Sequence, residues 1–323
     1  MKKPIAIIAG EPNSISSEII FKSWNLKKKY NFPPLLIIGS ENLLNSQKKK
    51  LNYNFKIKKI NHDFSINDLK TNKLPVLNVN YFQKKAFEKL SNKSKKYIFS
   101  TFDIALNLIK KNKICGFINC PVSKEKLFGY KNQGITEFLA KKSKRLENEV
   151  MLIYNKKLSV SPITTHIPLS QVNKKIYVKK IVEKIKTINS FYIKRINKKP
   201  LFAVLGLNPH NYSATKKSEE EKIIKPAIKK IKKMKINIIG PISPDTAFIF
   251  NKKYKPDVIV GMYHDQVLSP FKTIFKFNAI NITLGLPYLR ISPDHGIGEN
   301  ITGKKIANPS SLIEAIKFFN FLK

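Results

Sequence analysis

Short apolar runs alternate along this chain with longer stretches in which apolar residues recur every three or four positions and lysines fill the gaps. The runs Ile5–Ala9, Leu35–Gly39, Cys115–Asn119, Val150–Tyr154, Leu201–Leu205, Val258–Gly261 and Ala279–Thr283 predict strands. Tyr177–Ile193 carries apolar residues at helical spacing. Ser218–Met234 opens on Ser218, Glu219, Glu220 and Glu221 and ends in lysines, a polarity that suits the helix dipole. Pro309–Leu322 reads as a closing helix. Strand–helix alternation predicts an α/β fold on a largely parallel sheet. The stretch from 42 to 80 is rich in Lys and Asn, has weak periodicity and reads as a peripheral excursion. No internal repeat is visible, and no Pro/Ser/Gly linker marks a domain boundary.

The length of 323 residues allows one large or two ordinary domains with a substantial core. No apolar run reaches the roughly 18 residues that a membrane span needs. The start, MKKPIAIIAGEPNS, has too short an apolar core for a signal peptide and meets Glu11 at once, so it reads as a first strand. A cytoplasmic location and no membrane partner are expected.

The net charge of +40 raises the question of nucleic acid. Arginine, the preferred group for bidentate phosphate and guanine contacts, occurs only at Arg145, Arg195 and Arg290. The lysines are spread along the chain rather than gathered in a stripe. They read as a solvated coat with a general attraction for anionic substrates, and no nucleic-acid partner is expected. Two cysteines, Cys115 and Cys120, make no disulfide framework and fit a strand through the core.

Several catalytic signatures are absent. There is no GxGxxG after the first strand, no P-loop, no HExxH and no GxSxG. Of five histidines, His166 (ITTHIP), His210 (GLNPH) and His264 (GMYHDQ) end short strands or their loops, where α/β sheets bind ligands. Three neutral imidazoles meeting there would make an open metal site. Their wide spacing carries no ligand signature, so separate hydrogen-bonding roles stand beside that reading. His295 follows Asp294 in SPDHG, as an oriented acid–base pair or as a turn. His62, beside Asp63, reads as a surface residue. Arg290, one of few guanidinium groups, suits a phosphate or carboxylate clamp or a structural bridge to carbonyls. Lys272 carries little signal among so many lysines.

The series GEP, CPVSK, GITEF, TTHIPL, GLNPH, GPISPDT, MYHDQ, NITLGLPYLR and SPDHG, in this order from about Gly10 to Gly303, resembles the 4-hydroxythreonine-4-phosphate dehydrogenase family. The resemblance implies a two-domain fold like that of isocitrate and isopropylmalate dehydrogenases, which bind NAD(P) without a Rossmann motif. Residues 1–130 with 291–323 would form the nucleotide-side domain, and 131–290 the metal, substrate and dimerisation domain. His166, His210 and His264 match metal ligands for zinc, magnesium or cobalt. Thr136, Lys272, Asn281 and Arg290 match positions that hold the phosphorylated substrate. Asp245 matches an acid near the active site, so Asp245 and Lys272 are the catalytic candidates. Asp294, His295 and Gly296 fall in the NAD or NADP region. A homodimer is implied, with one histidine of the metal site supplied by the partner subunit. The implied reaction is NAD(P)-dependent oxidation of 4-phosphohydroxy-L-threonine at C3, with decarboxylation to 3-amino-2-oxopropyl phosphate, in vitamin B6 biosynthesis.

The chain departs from the family pattern at four places. The usual GHTE reads Gly134-Ile135-Thr136-Glu137, and the first loop, usually GEPAGIGPE, reads GEPNSISSE. The stretch 297–303 reads IGENITG in place of TAFDIAG. NYSATKK follows GLNPH where GEGG is usual. Two alternatives accompany the main reading: a sister dehydrogenase acting on 4-phosphoerythronate or 4-phosphothreonate, and a non-catalytic basic binding protein on the same fold.

Overall fold

A computed structural model of the chain describes residues 3–129, 134–144, 149–212, 216–249 and 255–322. Arg145 and residues 213–215 of the NYSATKK stretch lie outside the described residues. Among the described residues there are twelve strands: β1 (Ile5–Ile8), β2 (Leu35–Gly39), β3 (Ile57–Ile60), β4 (Leu74–Asn78), β5 (Gly116–Asn119), β6 (Val150–Tyr154), β7 (Ser159–Pro162), β8 (Phe202–Leu205), β9 (Ile238–Ile242), β10 (Val258–Gly261), β11 (Ile280–Leu284) and β12 (Leu289–Pro293). The chain divides into two compact units, Met1–Leu139 with Pro287–Phe321, and Ala140–Leu286 with the last two residues. Thr136 and Arg290 therefore belong to the first unit.

In the first unit the strand order is β3-β4-β2-β1-β5-β12, and every pair is parallel. β1, β2 and β5 are buried at every position, as expected of a parallel sheet covered on both faces. The helix Asn92–Lys110 turns Tyr97, Ile98, Phe102 and Ala105 inward. The stretch from 42 to 80 is not an excursion. It forms the helix Glu41–Lys50 and the strands β3 and β4; β3 pairs with β4, and β4 with β2. Its lysines and asparagines mask the pattern, since Leu74, Val76 and Leu77 are fully buried.

In the second unit the order is β11-β6-β7-β10-β8-β9. β7, β10, β8 and β9 run parallel, whereas β6 pairs antiparallel with both β7 and β11. The expected helix at 177–193 spans Val178–Phe191 and runs on into a π-helical turn, Tyr192–Ile196. The expected helix at 218–234 starts with a π-helical turn, Glu220–Ile224, before Lys225–Lys233. The core of this unit gathers Ile153, Val160, Ala203, Leu205, Ile259, Val267 and Phe271. No helix among the described residues is long and apolar enough to cross a membrane.

Phe271 is fully buried on the helix His264–Phe275 and packs against Phe275 with ring centres 4.8 Å apart. Truncation there leaves a cavity beneath the helix that begins at His264. Phe271→Ala is expected to lower unfolding stability by about 3–5 kcal/mol, read from the urea midpoint at unchanged slope.

Candidate active site

The three histidines singled out in the sequence follow three neighbouring parallel strands. His166 lies beyond β7, His264 beyond β10 and His210 beyond β8, and these strands lie side by side in the order β7-β10-β8. All three residues therefore sit at the carboxyl edge, where loops are free to build a ligand site.

Two side chains stitch these loops together. Gln266 accepts the N–H of Met262 at Oε1 (2.6 Å) and donates from Nε2 to the carbonyl of Gly206 (2.8 Å). It thereby joins the His264 loop to the His210 loop. Thr164 donates its hydroxyl to the carbonyl of Met262 at 2.7 Å, joining the His166 loop to the same point. Gly206 is required here, because a Cβ would stand 2.2 Å from Asn211 Oδ1.

Glu220, buried in its π-helical turn, fixes the His210 loop from below. Its carboxylate accepts the backbone N–H groups of Leu207 and Asn208 (both 2.8 Å) and the Asn208 amide (2.9 Å). Burial works against the charge, but these bonds more than offset it and hold the carboxyl below its usual range.

His166 and His264 come together, with ring centres 5.6 Å apart. Two imidazoles bound to one ion through bonds of about 2.1 Å would hold their centres roughly 5–6 Å apart, so the pair fits a shared metal. His264 Nδ1 lies 2.7 Å from Asp265 Oδ1, an arrangement that leaves Nε2 for a metal. His210 is well exposed, in the left-handed region at φ 52°, with Nδ1 3.7 Å from Asp245 Oδ2. The Ser243 hydroxyl donates to Asp245 Oδ1 at 2.6 Å. That bond, with His210 nearby, holds the Asp245 carboxyl below its usual range. Among the described residues no group of three or more His, Cys, Asp or Glu gathers as a complete metal set in one chain. Lys272 is exposed near the end of the His264 helix. Asn281, on β11, has its Oδ1 shielded from solvent with no donor beside it.

The first unit contains a separate group. Arg290, on β12, is buried at 4% exposure. Its Nε donates to Asn119 Oδ1 at 2.6 Å, and Nη1 lies 3.5 Å from the Thr136 hydroxyl. Burial pushes the guanidinium down to about 10, with Tyr288 and Glu137 acting the other way. It remains charged near neutral pH. Ile135 is buried at the start of the helix Ile135–Lys142.

Glu11, which sequence reasoning passed over, follows β1 and is buried. Its Oε2 accepts the Ser123 N–H at 2.7 Å, while Oε1 is shielded and meets no donor. Burial raises its pKa, against the Ser123 N–H and Lys126. Asp294 is buried with its N–H on the Ser311 hydroxyl (2.9 Å). His295 Nδ1 lies 3.1 Å from the Gly296 carbonyl, and a Cβ on Gly296 would meet nothing within 4 Å. That open face fits a cofactor lying against the backbone.

The family model described as pyridoxal phosphate biosynthetic protein PdxA matches residues 31–319. The chain belongs to the PdxA family. It is 39% identical, over 99% of its length and 98% of the relative's, to the 4-hydroxythreonine-4-phosphate dehydrogenase of Sulfurihydrogenibium sp.. It is 34% identical to the protein of the same name from Aquifex aeolicus, over 100% of this chain and 99% of that one. A crystal structure of the Klebsiella pneumoniae 4-hydroxythreonine-4-phosphate dehydrogenase aligns at a TM-score of 0.84 and 27% identity, covering 99% and 97% of the two chains. PdxA membership makes the chain an oxidoreductase of pyridoxal phosphate biosynthesis. As a dehydrogenase it uses a nicotinamide cofactor.

Gln266, Glu220 and Glu11 were not found from sequence. Gln266 and Glu11 stand inside quoted motifs, yet only the three-dimensional loops show what they bond. Gln266→Leu leaves the Met262 N–H and the Gly206 carbonyl without this partner. It is expected to cost about 2–4 kcal/mol in urea unfolding. The Glu220 carboxyl is held low in the folded state, so its contribution is present above the unfolded-state pKa, near 4.3. That contribution is lost as pH falls through the folded value. The acid-side fall in thermal midpoint is expected to be steeper in the native chain than in Glu220→Gln; equal slopes would count against this assignment.

Proposed function

We propose that the chain oxidises 4-phosphohydroxy-L-threonine at its C3 hydroxyl and releases CO2, giving 3-amino-2-oxopropyl phosphate. The observation that carries this reading is the seating of His166, His210 and His264 at the ends of adjacent parallel strands, with two of the rings already paired. Names of full-length relatives supply the substrate.

His166, His210 and His264 would hold a divalent cation, zinc, magnesium or cobalt, with one of the three supplied by the partner subunit of a cytoplasmic homodimer. Such a cation, when bound, acts as a Lewis acid that lowers the pKa of the substrate hydroxyl. Asp294, His295 and Gly296 would hold NAD or NADP, whose nicotinamide would supply the hydride acceptor for C3. Asp245 accepts the hydroxyl proton at its carboxylate, which is kept ionised by Ser243 and His210. The resulting β-keto acid breaks its bond to the carboxylate, CO2 leaves, and a proton takes up the electron pair on carbon. Arg290, Thr136, Lys272 and Asn281 hold the anionic substrate by charge-assisted and neutral hydrogen bonds.

The test is reduction of NAD or NADP, followed by absorbance, with 4-phosphohydroxy-L-threonine and added divalent metal, with and without chelator. Metal- and substrate-dependent turnover is expected, lost with chelator. 4-Phosphoerythronate and 4-phosphothreonate are run alongside, and preference for either would replace the named substrate. His210→Ala is expected to lower kcat at least a thousandfold, by loss of a metal ligand; near-native turnover at saturating metal would remove His210 from the ligand set.

A further inference from the structure

Lys124 belongs to no role described so far, yet it lies against the 134–137 segment, which also faces Arg290 through Thr136. The Glu11 carboxylate pins the N–H of Ser123, the residue next to it. The lysine stem then crosses Gly134: a Cβ built there would lie 3.6 Å from both Cδ and Cε of Lys124. The same point is 2.7 Å from Glu137 Oε2, which accepts the Gly134 N–H at 2.8 Å. Gly134 thus makes room for the Glu137 carboxylate, and the lysine stem passes within van der Waals range of the same point. Glu137 directly follows Thr136, the residue that faces Arg290 Nη1. Lys124 is open to solvent, yet protein crowds its ammonium. This crowding lowers its pKa; Glu137 opposes the shift and Arg290 adds to it. Glu137 also acts on Arg290, so its carboxylate lies within electrostatic reach of both cations. An arriving oxyanion would relieve the repulsion between them.

We propose that Lys124 is a second cation of the substrate's anion site, acting with Arg290 on a phosphate or carboxylate group. This rests on the reading of Arg290 as a substrate residue. The lysine is accessible, so a ligand can reach it. Lysine acts there as a point charge beside the planar guanidinium of Arg290.

The test uses the full chain, with inorganic phosphate and acetate as probes and binding read by calorimetry. Lys124→Met is expected to weaken binding of the preferred probe about tenfold, and Lys124→Arg to restore most of it. Thermal midpoints without probe check that each variant folds. Preference for phosphate or acetate identifies which substrate group the clamp takes. With the phosphorylated substrate, Lys124→Met should raise KM about tenfold and change kcat less. Unchanged probe affinity in Lys124→Met, or no binding of either probe to the native chain, overturns the proposal. Because the probes are simple ions, their binding does not depend on which phosphorylated acid is oxidised. Failure of turnover with intact probe binding would sink the substrate assignment and leave the clamp standing.

Discussion

The side-chain amide of Gln266 is the connection on which the arrangement of the second unit's strand-end loops depends. It bonds at once to the N–H after β10 and to the carbonyl after β8, so the loops leading to His264 and His210 cannot drift independently. A catalytic metal site tolerates little misplacement, because ligand positions set the geometry of whatever the ion activates. Loops at strand ends are the least restrained parts of an α/β fold. Here Gln266, Thr164 and Glu220 supply the restraint, each bonding to backbone, and Glu220 to the Asn208 amide as well. Backbone bonds fix the path of a loop whatever side chains it carries. The left-handed conformation of His210 fits this picture, since the loop around it is held from both sides.

How much of this was legible in the sequence follows from where apolar residues carry the signal. Seven strands announced themselves as apolar runs. β7 did not, because Ser159 and Ser161 occupy it; both are buried, Ser159 accepting the Tyr192 hydroxyl and Ser161 donating to the Met151 carbonyl. β12 was hidden in the same way by Arg290 and Ser292. These are strands beside the site, where polar residues displace the hydrophobic pattern. The π-helical turns at 192–196 and 220–224 leave no mark in periodicity either. The histidines could be placed at strand ends from sequence, but adjacency of β7, β10 and β8 is a property of topology. Lys124 could not be distinguished by type in a chain whose cations are nearly all lysine; its position over Gly134 sets it apart.

The charge of the chain takes on a different meaning once the site is described. A net charge of +40 attracts any anion, which favours encounter but gives no selectivity. Selectivity must come from cations fixed in place. Arg290 is such a cation: buried, held by Asn119, and too costly to place there without a function or a partner. Geometry explains an arginine here in a sequence whose cations are nearly all lysine, since a planar fork can bond Asn119 on one side and face Thr136 on another.

The first loop shows that substitution of its usual glycines has not left it loose. Ser14 donates its hydroxyl to the Glu11 carbonyl at 2.6 Å, its Oγ lies 2.7 Å from the Ser16 hydroxyl, and Ser16 Oγ lies 3.3 Å from the Pro121 carbonyl. Serines in place of glycines lose backbone freedom but gain hydroxyls, and both hydroxyls are bonded inside the protein. The loop also meets the other divergent stretch: the Ile15 N–H donates to the Ile297 carbonyl at 3.0 Å, and the Ile15 side chain occupies the space where Gly298 has no Cβ. Two segments that depart from the family pattern are therefore one packed surface. Changes at one must be accommodated at the other. The same loop carries Glu11, whose bond to Ser123 positions Lys124, so ordering it also orders the anion site.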